Sequence, residues 1–291
     1  MIYDVSHKTL YRYSAPVSQS HHLIHLSPRA DTYQTVRRHS LLIEPAPTTR
    51  MEAEDYFGNP ITRLSIEEEH LEFVIHARST IDVSARGEVH TAATLRIGSL
   101  PQHLAAGPAP RNLSVLQFAS PSRHTPLTPE IADYARASLG PERPVLDGTW
   151  DLTRRMFADF TFDATATDIA TPVAKVLKLR RGVCQDFSHL ALACLRTAGI
   201  PARYVSGYLL TNPPAGQVKL RGADASHAWI SVWAPETGWV DFDPTNGSMP
   251  GLEHIAIAHG RDYDDVSPIS GVLLGGGKHT LSVAVDVSVA A

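Results

Sequence analysis

The sequence of 291 residues contains only two cysteines, Cys184 and Cys194. A disulfide framework needs more cysteines in a much shorter secreted chain, so both thiols are expected to be free. No run of about 18 apolar residues is present, and the first residues lack a basic region followed by an apolar core. The sequence therefore predicts a cytoplasmic protein that has no membrane partner.

Basic runs and metal-binding motifs are also scarce. The formal net charge is -4, and lysine or arginine runs are no longer than pairs such as Arg37-Arg38. This composition gives no broad attraction for phosphate backbones, so nucleic acid is not an expected partner. The 15 histidines are scattered, with one local cluster at His21-His22 and His25, and no HExxH or CxxC spacing accompanies them. We expect no metal and no cofactor.

The length suits two domains better than one. Residues 1–96 contain short alternating runs broken by turn residues, such as Phe57-Gly58-Asn59-Pro60. This pattern predicts an N-terminal antiparallel β-sandwich domain. Residues 97–127 are rich in proline and have few periodic apolar positions, which indicates an extended connector. Residues 128–291 combine helical patterns with later strand-like runs, so the predicted fold class of the second domain is α+β.

Helix signals come first in the second domain. Three helices are predicted before Cys184, with bounds near Thr128–Gly140, Leu146–Phe160 and Thr171–Leu179. The second of them is expected to bury Trp150, Phe157 and Phe160. Strand-like runs follow later, at Ala202–Leu210, Ala223–Trp233, Trp239–Asp243 and Leu281–Val289.

A fourth helix is predicted over Gln185–Ala198, where apolar residues recur at helical spacing and Gly199 ends the pattern. Cys184 lies at the amino end of this helix, where unpaired backbone N–H groups and the helix dipole favour a thiolate. Cys194 falls on the apolar stripe and is expected to be an inert core thiol. Cys184 is therefore the candidate nucleophile.

His227 and Asp243 are the candidates for a general base and the acid that orients it. Alternation along the Ala223–Trp233 run places His227 and Trp229 on one face, and turn residues at Ala234–Gly238 predict an antiparallel return. An odd number of loop residues would put His227 and Asp243 on the same side, whereas an even number would separate them. Taken singly, Cys184, His227 and Asp243 also fit structural roles, as a core thiol, a satisfied strand histidine and a turn former.

Three segments occur in an informative order: Gly182-Val183-Cys184-Gln185-Asp186-Phe187, Ser226-His227-Ala228-Trp229 and Asp241-Phe242-Asp243-Pro244-Thr245-Asn246. They resemble the transglutaminase-like (papain-like) cysteine enzyme superfamily, and together with Gly260-Arg261-Asp262-Tyr263 they resemble its bacterial subgroup with an N-terminal β-rich domain. The resemblance implies a core with the cysteine on a helix and the histidine and aspartate on antiparallel strands. It also implies that Cys184 is the nucleophile, His227 the general base and acid, and Asp243 the orienting carboxylate.

The implied reaction is attack of the Cys184 thiolate on a peptide or protein amide, followed by resolution of a thioester. Resolution by water gives a cysteine protease or amidase, which is our expectation, and resolution by an amine gives a transglutaminase. A non-catalytic peptide-binding module is a further alternative. Gln185 and Asp186 are candidates for oxyanion or substrate contact, although the helix dipole explains an acid at position 186 equally well. Trp229 is a third candidate, for which packing beside His227 is the competing explanation.

The family also includes animal transglutaminases that depend on calcium. No calcium loop of EF-hand spacing is present in this sequence, so we do not extend that dependence to this chain. The sequence does not predict an oligomeric state.

Overall fold

The computed structural model describes residues 1–106, 109–211 and 226–290. Its first sheet is antiparallel and is built around one long strand, β1 (Ile2–Ile24). The other strands of the first 100 residues are β2 (Gln34–Glu44), β3 (Thr49–Glu54), β4 (Pro60–Ile66) and β5 (His70–Val83). The first half of β1 pairs with β5, which pairs with β2, and its second half pairs with β4, which pairs with β3.

Side chains from both halves of this sheet pack into one core. Val17 and Ile24 of β1 are buried there with Leu41 of β2, Leu64 of β4 and Phe73 of β5. Alternation supplies such residues to one face of a strand, and in β1 the irregularity between Val17 and Gln19 brings both Val17 and Ile24 into this core. The N-terminal region is therefore rich in antiparallel β-structure, as predicted, and its strands belong to one sheet built around β1.

The sequence predicts an extended connector over residues 97–127, and the structure corrects this prediction. Helices α1 (Leu100–Ala106) and α2 (Ala109–Leu116) lie there with short 3-10 turns. Pro101 occupies the first turn of α1, where a missing N–H is tolerated because the first backbone donors of a helix have no partner within it. Leu100 and Leu104 pack into the main core, so this segment is part of the folded structure.

The second domain, over the residues described, combines four helices with a four-stranded antiparallel sheet. Its helices are α3 (Pro129–Arg136), α4 (Val145–Asp159), α5 (Val173–Leu179) and α6 (Cys184–Thr197), and two short strands, β6 (Thr161–Phe162) and β7 (Arg181–Gly182), pair in parallel. The sheet has the order β10 (Gly238–Phe242), β9 (Ser226–Ala234), β8 (Ala202–Leu209), β11 (His254–Gly260). Helix α6 is buried from Asp186 to Arg196. The α+β fold class is confirmed.

Most of the predicted helices agree with these bounds to within a few residues. The predicted burial of Phe157 is wrong, because this side chain is 56% exposed, whereas Phe160 is buried. Phe157 lies at the surface against the turn that follows β10, where a Cβ on Gly247 would come within 2.7 Å of the Phe157 ring. The residues Ala223–Ala225 of the predicted strand before His227 lie outside the described residues.

The last two strands pair with the first domain. Strand β12 (Ile269–Gly275), which the sequence analysis missed, and β13 (His279–Val289) both pair with β1. The alternation over Leu281–Val289 predicts the strand correctly, but the assignment of this strand to the second domain is wrong. Periodicity identifies a strand and its buried face without identifying the neighbouring strand. Val285 and Val287 are buried in the same core as Tyr3 of β1.

None of the helices in the described residues is long and apolar enough to cross a membrane.

Two side-chain amides of the first domain cover the free edge of β11. Gln34 donates from Nε2 to the Ala256 carbonyl oxygen at 2.7 Å and accepts from the Ala256 N–H at 2.9 Å. Asn59, in the predicted turn, donates from Nδ2 to the His259 carbonyl oxygen at 2.8 Å and accepts from the His259 N–H at 2.9 Å. Both amides are buried, and each supplies the hydrogen bonds that a neighbouring strand would make to one residue.

Replacing the amide of Gln34 should destabilise the protein. The substitution Gln34→Met keeps a similar length but leaves the N–H and C=O groups of Ala256 buried without their partner, and we expect a loss of about 2 kcal/mol. The measurement is urea denaturation followed by circular dichroism. Gln102→Met, at an exposed position of α1, is the matched control and should change the unfolding free energy by less than about 0.5 kcal/mol. Equal effects of the two substitutions would contradict this account of the β11 edge.

Candidate active site

The helix start at Cys184 is fixed by Asp186. The Asp186 Oδ2 atom accepts from the backbone N–H of Val183 at 2.8 Å and from the hydroxyl of Thr167 at 2.6 Å. A Cβ on Gly182 would lie 2.5 Å from the same oxygen, so the close approach requires glycine. Burial raises the pKa of Asp186, and the two hydrogen bonds act in the opposite direction. The sequence Gly-Val-Cys-Gln-Asp therefore describes a helix start that holds the cysteine in place.

The two cysteines lie in different environments. Cys184 is the first residue of α6, is partly exposed, and its side chain lies beside the imidazole of His227. Cys194 is fully buried in the middle of the same helix, where burial raises its pKa to about 12. The thiol beside the imidazole is the one that solvent can reach.

A three-residue hairpin loop places His227 and Asp243 on the same side of the sheet. Ala234 pairs with Gly238, which leaves three loop residues and gives the odd number that this geometry requires. Gly238 has φ = +73°, a conformation that favours glycine at this position of the hairpin. The His227 Nε2 atom lies 2.7 Å from Asp243 Oδ2, so Nδ1 is the ring nitrogen that remains available for proton exchange with the thiol.

The carboxylate of Asp243 is fully buried and accepts five hydrogen bonds. Oδ2 accepts from His227 Nε2, from Asn246 Nδ2 at 2.7 Å and from His254 Nε2 at 3.1 Å. Oδ1 accepts from the backbone N–H groups of Thr245 at 2.9 Å and Asn246 at 3.2 Å. Burial alone would raise the pKa of Asp243, but the hydrogen bonds from His227, His254 and Asn246 outweigh it and hold the pKa well below its usual range. Asp243 therefore carries its negative charge in the interior.

The imidazole of His227 lies between the Asp243 carboxylate and the Cys184 thiol. Burial lowers its pKa, but the interactions with Asp243 and Cys184 outweigh that effect and raise the pKa from 6.5 to about 9. His227 is therefore protonated at neutral pH. A protonated imidazole between a carboxylate and a thiol suits a thiolate–imidazolium pair, in which the nucleophile is charged and the acid for the leaving group is present.

Of the other predicted contacts, Trp229 lies within the site and is fully buried. Its Nε1–H donates to Asp241 Oδ2 at 3.0 Å, and its ring stacks on that of His227 with centroids 6.0 Å apart. In this position the Trp229 ring packs against His227 and is not accessible to a substrate. Gln185 is partly exposed beside Cys184, and its role at an oxyanion stays a prediction.

Several residues of the site were missed by the sequence analysis as functional residues. Asn246 follows the Asp-Pro-Thr segment directly, and its position in that motif was the available signal. His254 begins β11, a strand that was not predicted. Asp241, which holds Trp229, is paired with Arg86 of the first domain at 2.7 Å. The local sequence holds no signal for the contact of His254 or for the pair of Asp241 and Arg86, because both depend on the packing of distant segments.

Two groups of residues within the described ranges have the spacing of metal ligands: His227, Asp243 and His254, and His124, Asp262 and Asp264. In the first group both Nε2 atoms serve as hydrogen-bond donors to one carboxylate oxygen and would have to lose these protons to bind an ion. In the second group Asp264 is also paired with Arg123 at 3.3 Å. The chemistry of both groups fits internal hydrogen bonds and ion pairs.

Comparison with known proteins identifies the family. Residues 133–244 match the transglutaminase-like superfamily, and residues 3–82 match the bacterial transglutaminase-like N-terminal region. The chain belongs to the transglutaminase-like superfamily. Within it, the chain is 38% identical over 293 residues to an uncharacterized protein of Mycobacterium tuberculosis, covering 98% of this chain and 92% of that protein. A Mycobacterium leprae protein, also uncharacterized, is 32% identical over 98% of this chain and 97% of its own length.

Two further comparisons concern fold and partial similarity. The fold matches the crystal structure of a candidate cysteine protease of Cytophaga hutchinsonii with a TM-score of 0.77, at 20% identity over 99% of this chain and 90% of that one. A protein-glutamine gamma-glutamyltransferase of Pseudomonas aeruginosa is 30% identical over 200 residues, which cover 66% of this chain and 30% of that protein. The predicted family and fold are therefore confirmed.

Alkylation should distinguish the two thiols. We expect iodoacetamide to modify Cys184 at pH 6 at least about 100-fold faster than Cys194, because only Cys184 is accessible and paired with a protonated imidazole. In His227→Ala the rate at Cys184 should fall by about 100-fold at that pH, since an unassisted thiol is almost fully protonated there. Peptide mapping by mass spectrometry measures both sites in one experiment. Equally slow labelling of both cysteines would contradict the assignment of Cys184.

The raised pKa of His227 also predicts a pH dependence of stability. A group whose pKa is higher in the folded than in the unfolded state contributes stability fully below the unfolded value and loses it as the pH rises through the folded value. In a Cys184→Ala background, which removes the titration of the thiol, the histidine at position 227 should be more stabilising at pH 6 than a glutamine in its place. This advantage should shrink by about 2 kcal/mol between pH 6.5 and 9. Urea denaturation of Cys184→Ala and of Cys184→Ala/His227→Gln gives the difference between their unfolding free energies at each pH. A difference that does not change with pH would refute the ion pair between His227 and Asp243.

Proposed function

We propose that the protein is a cysteine-dependent hydrolase that cleaves a peptide-like amide bond through a thioester on Cys184. The observation that best supports this proposal is the position of the His227 imidazole, which lies beside the Cys184 thiol and is hydrogen-bonded to the buried Asp243 carboxylate. This order of nucleophile, base and orienting acid is what acyl transfer requires. The proposed substrates are peptides or proteins.

In the proposed reaction the Cys184 sulfur attacks the amide carbonyl carbon, and the carbonyl oxygen becomes an oxyanion. The backbone N–H of Cys184, at the start of α6, is one donor for this oxygen, and Gln185 is a candidate for the second. His227 gives its proton to the amine as the C–N bond breaks, which leaves a thioester. His227 then takes a proton from water, which attacks the thioester and releases the acid. Asp243 holds the imidazole in orientation throughout.

Acyl transfer to an amine is the second candidate. The similarity to a protein-glutamine gamma-glutamyltransferase supports it, although the similar region is 30% of that protein. The first half of the reaction is the same in both cases, and the two differ in what resolves the thioester. We favour water because transfer requires a site that binds the amine and excludes water, whereas hydrolysis requires neither. A cytoplasmic location stays a prediction of the sequence.

The fate of the acyl group tests the proposal. A glutamine-containing peptide is incubated with the protein and a labelled primary amine, and both free ammonia and incorporated label are measured. We expect ammonia release without incorporation, abolished in Cys184→Ala and retained in Cys194→Ala. Incorporation of label in proportion to ammonia would show a transglutaminase. If a library of peptide amides gives no cleavage that depends on Cys184, and Cys184 is also unreactive towards iodoacetamide, the chain is a binding module.

A further inference from the structure

His254 is a second imidazole on the carboxylate of Asp243. It begins β11, is 6% exposed, and its Nε2 atom lies 3.1 Å from the same Oδ2 atom that accepts from His227. Its ring packs on that of Trp229 at nearly a right angle, with centroids 5.2 Å apart and planes at 82°. His254 therefore contacts the orienting acid directly and has no contact with the thiol in the part of the chain that the structure describes.

The hydrogen-bonding groups around His254 define its tautomer. An ionised carboxylate can only accept, so the proton of the pair lies on His254 Nε2. The other nitrogen, Nδ1, is buried and has no partner among the described residues. A second proton on Nδ1 would be a buried donor without an acceptor, which is unfavourable. His254 is thus a neutral donor, whereas His227 on the same oxygen is charged.

We propose that His254 is a positioning residue for Asp243, and this inference rests on the proposed function of Cys184, His227 and Asp243 as a triad. The carboxylate can rotate about its bond to Cβ, and its backbone contacts at Thr245 and Asn246 hold only Oδ1. Oδ2 is held by the side chain of Asn246 and, from the side of β11, by His254, so that this oxygen stays directed at His227. A neutral donor does so without adding a second positive charge beside the imidazolium.

The first domain holds the strand that carries His254. Gln34 binds both backbone polar groups of Ala256, two residues along β11 from His254. Arg86 of the first domain is paired with Asp241, which in turn accepts from the Trp229 ring that packs against His254. The strand that carries His254 and the ring that packs against it are therefore both supported from the first domain. This arrangement links the N-terminal region to the geometry of the triad.

Two substitutions of equal length test the proposal in the full chain. His254→Gln retains an N–H donor close to the position of Nε2, whereas His254→Met retains the length and lacks the donor. We expect the rate constant for alkylation of Cys184 by iodoacetamide to fall about tenfold in His254→Met, the order expected for one hydrogen bond to a charged group, and to be largely restored in His254→Gln. The resonance of the His227 Nε2 proton should shift in His254→Met and stay near its wild-type position in His254→Gln.

A merely structural role for His254 would lower the unfolding free energy without moving this proton resonance, and that result would overturn the proposal. Equal alkylation rates in wild type and a folded His254→Met would also overturn it. If His254→Met does not fold, nitrogen chemical shifts of the unaltered protein provide the test, because they must show His254 as neutral with its proton on Nε2. Failure of the triad itself is distinguishable, since Cys184 would then be unreactive in the wild type.

Discussion

The carboxylate of Asp243 is the group on which the arrangement of the site depends. Moving a carboxylate from water into a protein interior costs several kcal/mol unless hydrogen bonds replace the lost hydration. Here five N–H donors replace it, and they come from β9, from β11 and from the turn that follows β10. These segments therefore cannot shift independently without leaving a buried charge short of partners. The same donors that make burial possible also direct one oxygen at the imidazole.

The start of α6 uses the same physical principle on the other side of the site. Asp186 is also buried, and its carboxylate satisfies the Val183 N–H at the helix start and binds Thr167. Two aspartates thus have different tasks. Asp186 fixes the backbone from which the thiol projects, and Asp243 fixes the imidazole that the thiol meets. Both hold other groups in place, and in the proposed reaction neither needs to touch a substrate.

The parts of the site that the sequence predicts are those set by local geometry. The helix period and Gly199 define α6 and place Cys184 at its start, while strand alternation and an odd hairpin loop bring His227 to Asp243. Asp243 makes the contacts of both roles considered for it, because Oδ1 forms the turn and Oδ2 binds the histidine. His254 and Gln34 could not be predicted, since their partners are fixed by which strands become neighbours. The same holds for the pairing of β12 and β13 with β1.

The course of the chain links the first domain to the site. The second domain is inserted between β5 and β12, so the chain begins and ends in the same sheet. Strand β11 ends at Gly260, and β12 begins nine residues later in the sheet of the first domain. His254 therefore lies on a strand whose edge is held by Gln34 and Asn59 and whose continuation is paired with β1. A displacement of the first domain would therefore move β11 and strain the hydrogen bond between His254 and Asp243, and it would also disturb β10 through the pair of Arg86 and Asp241.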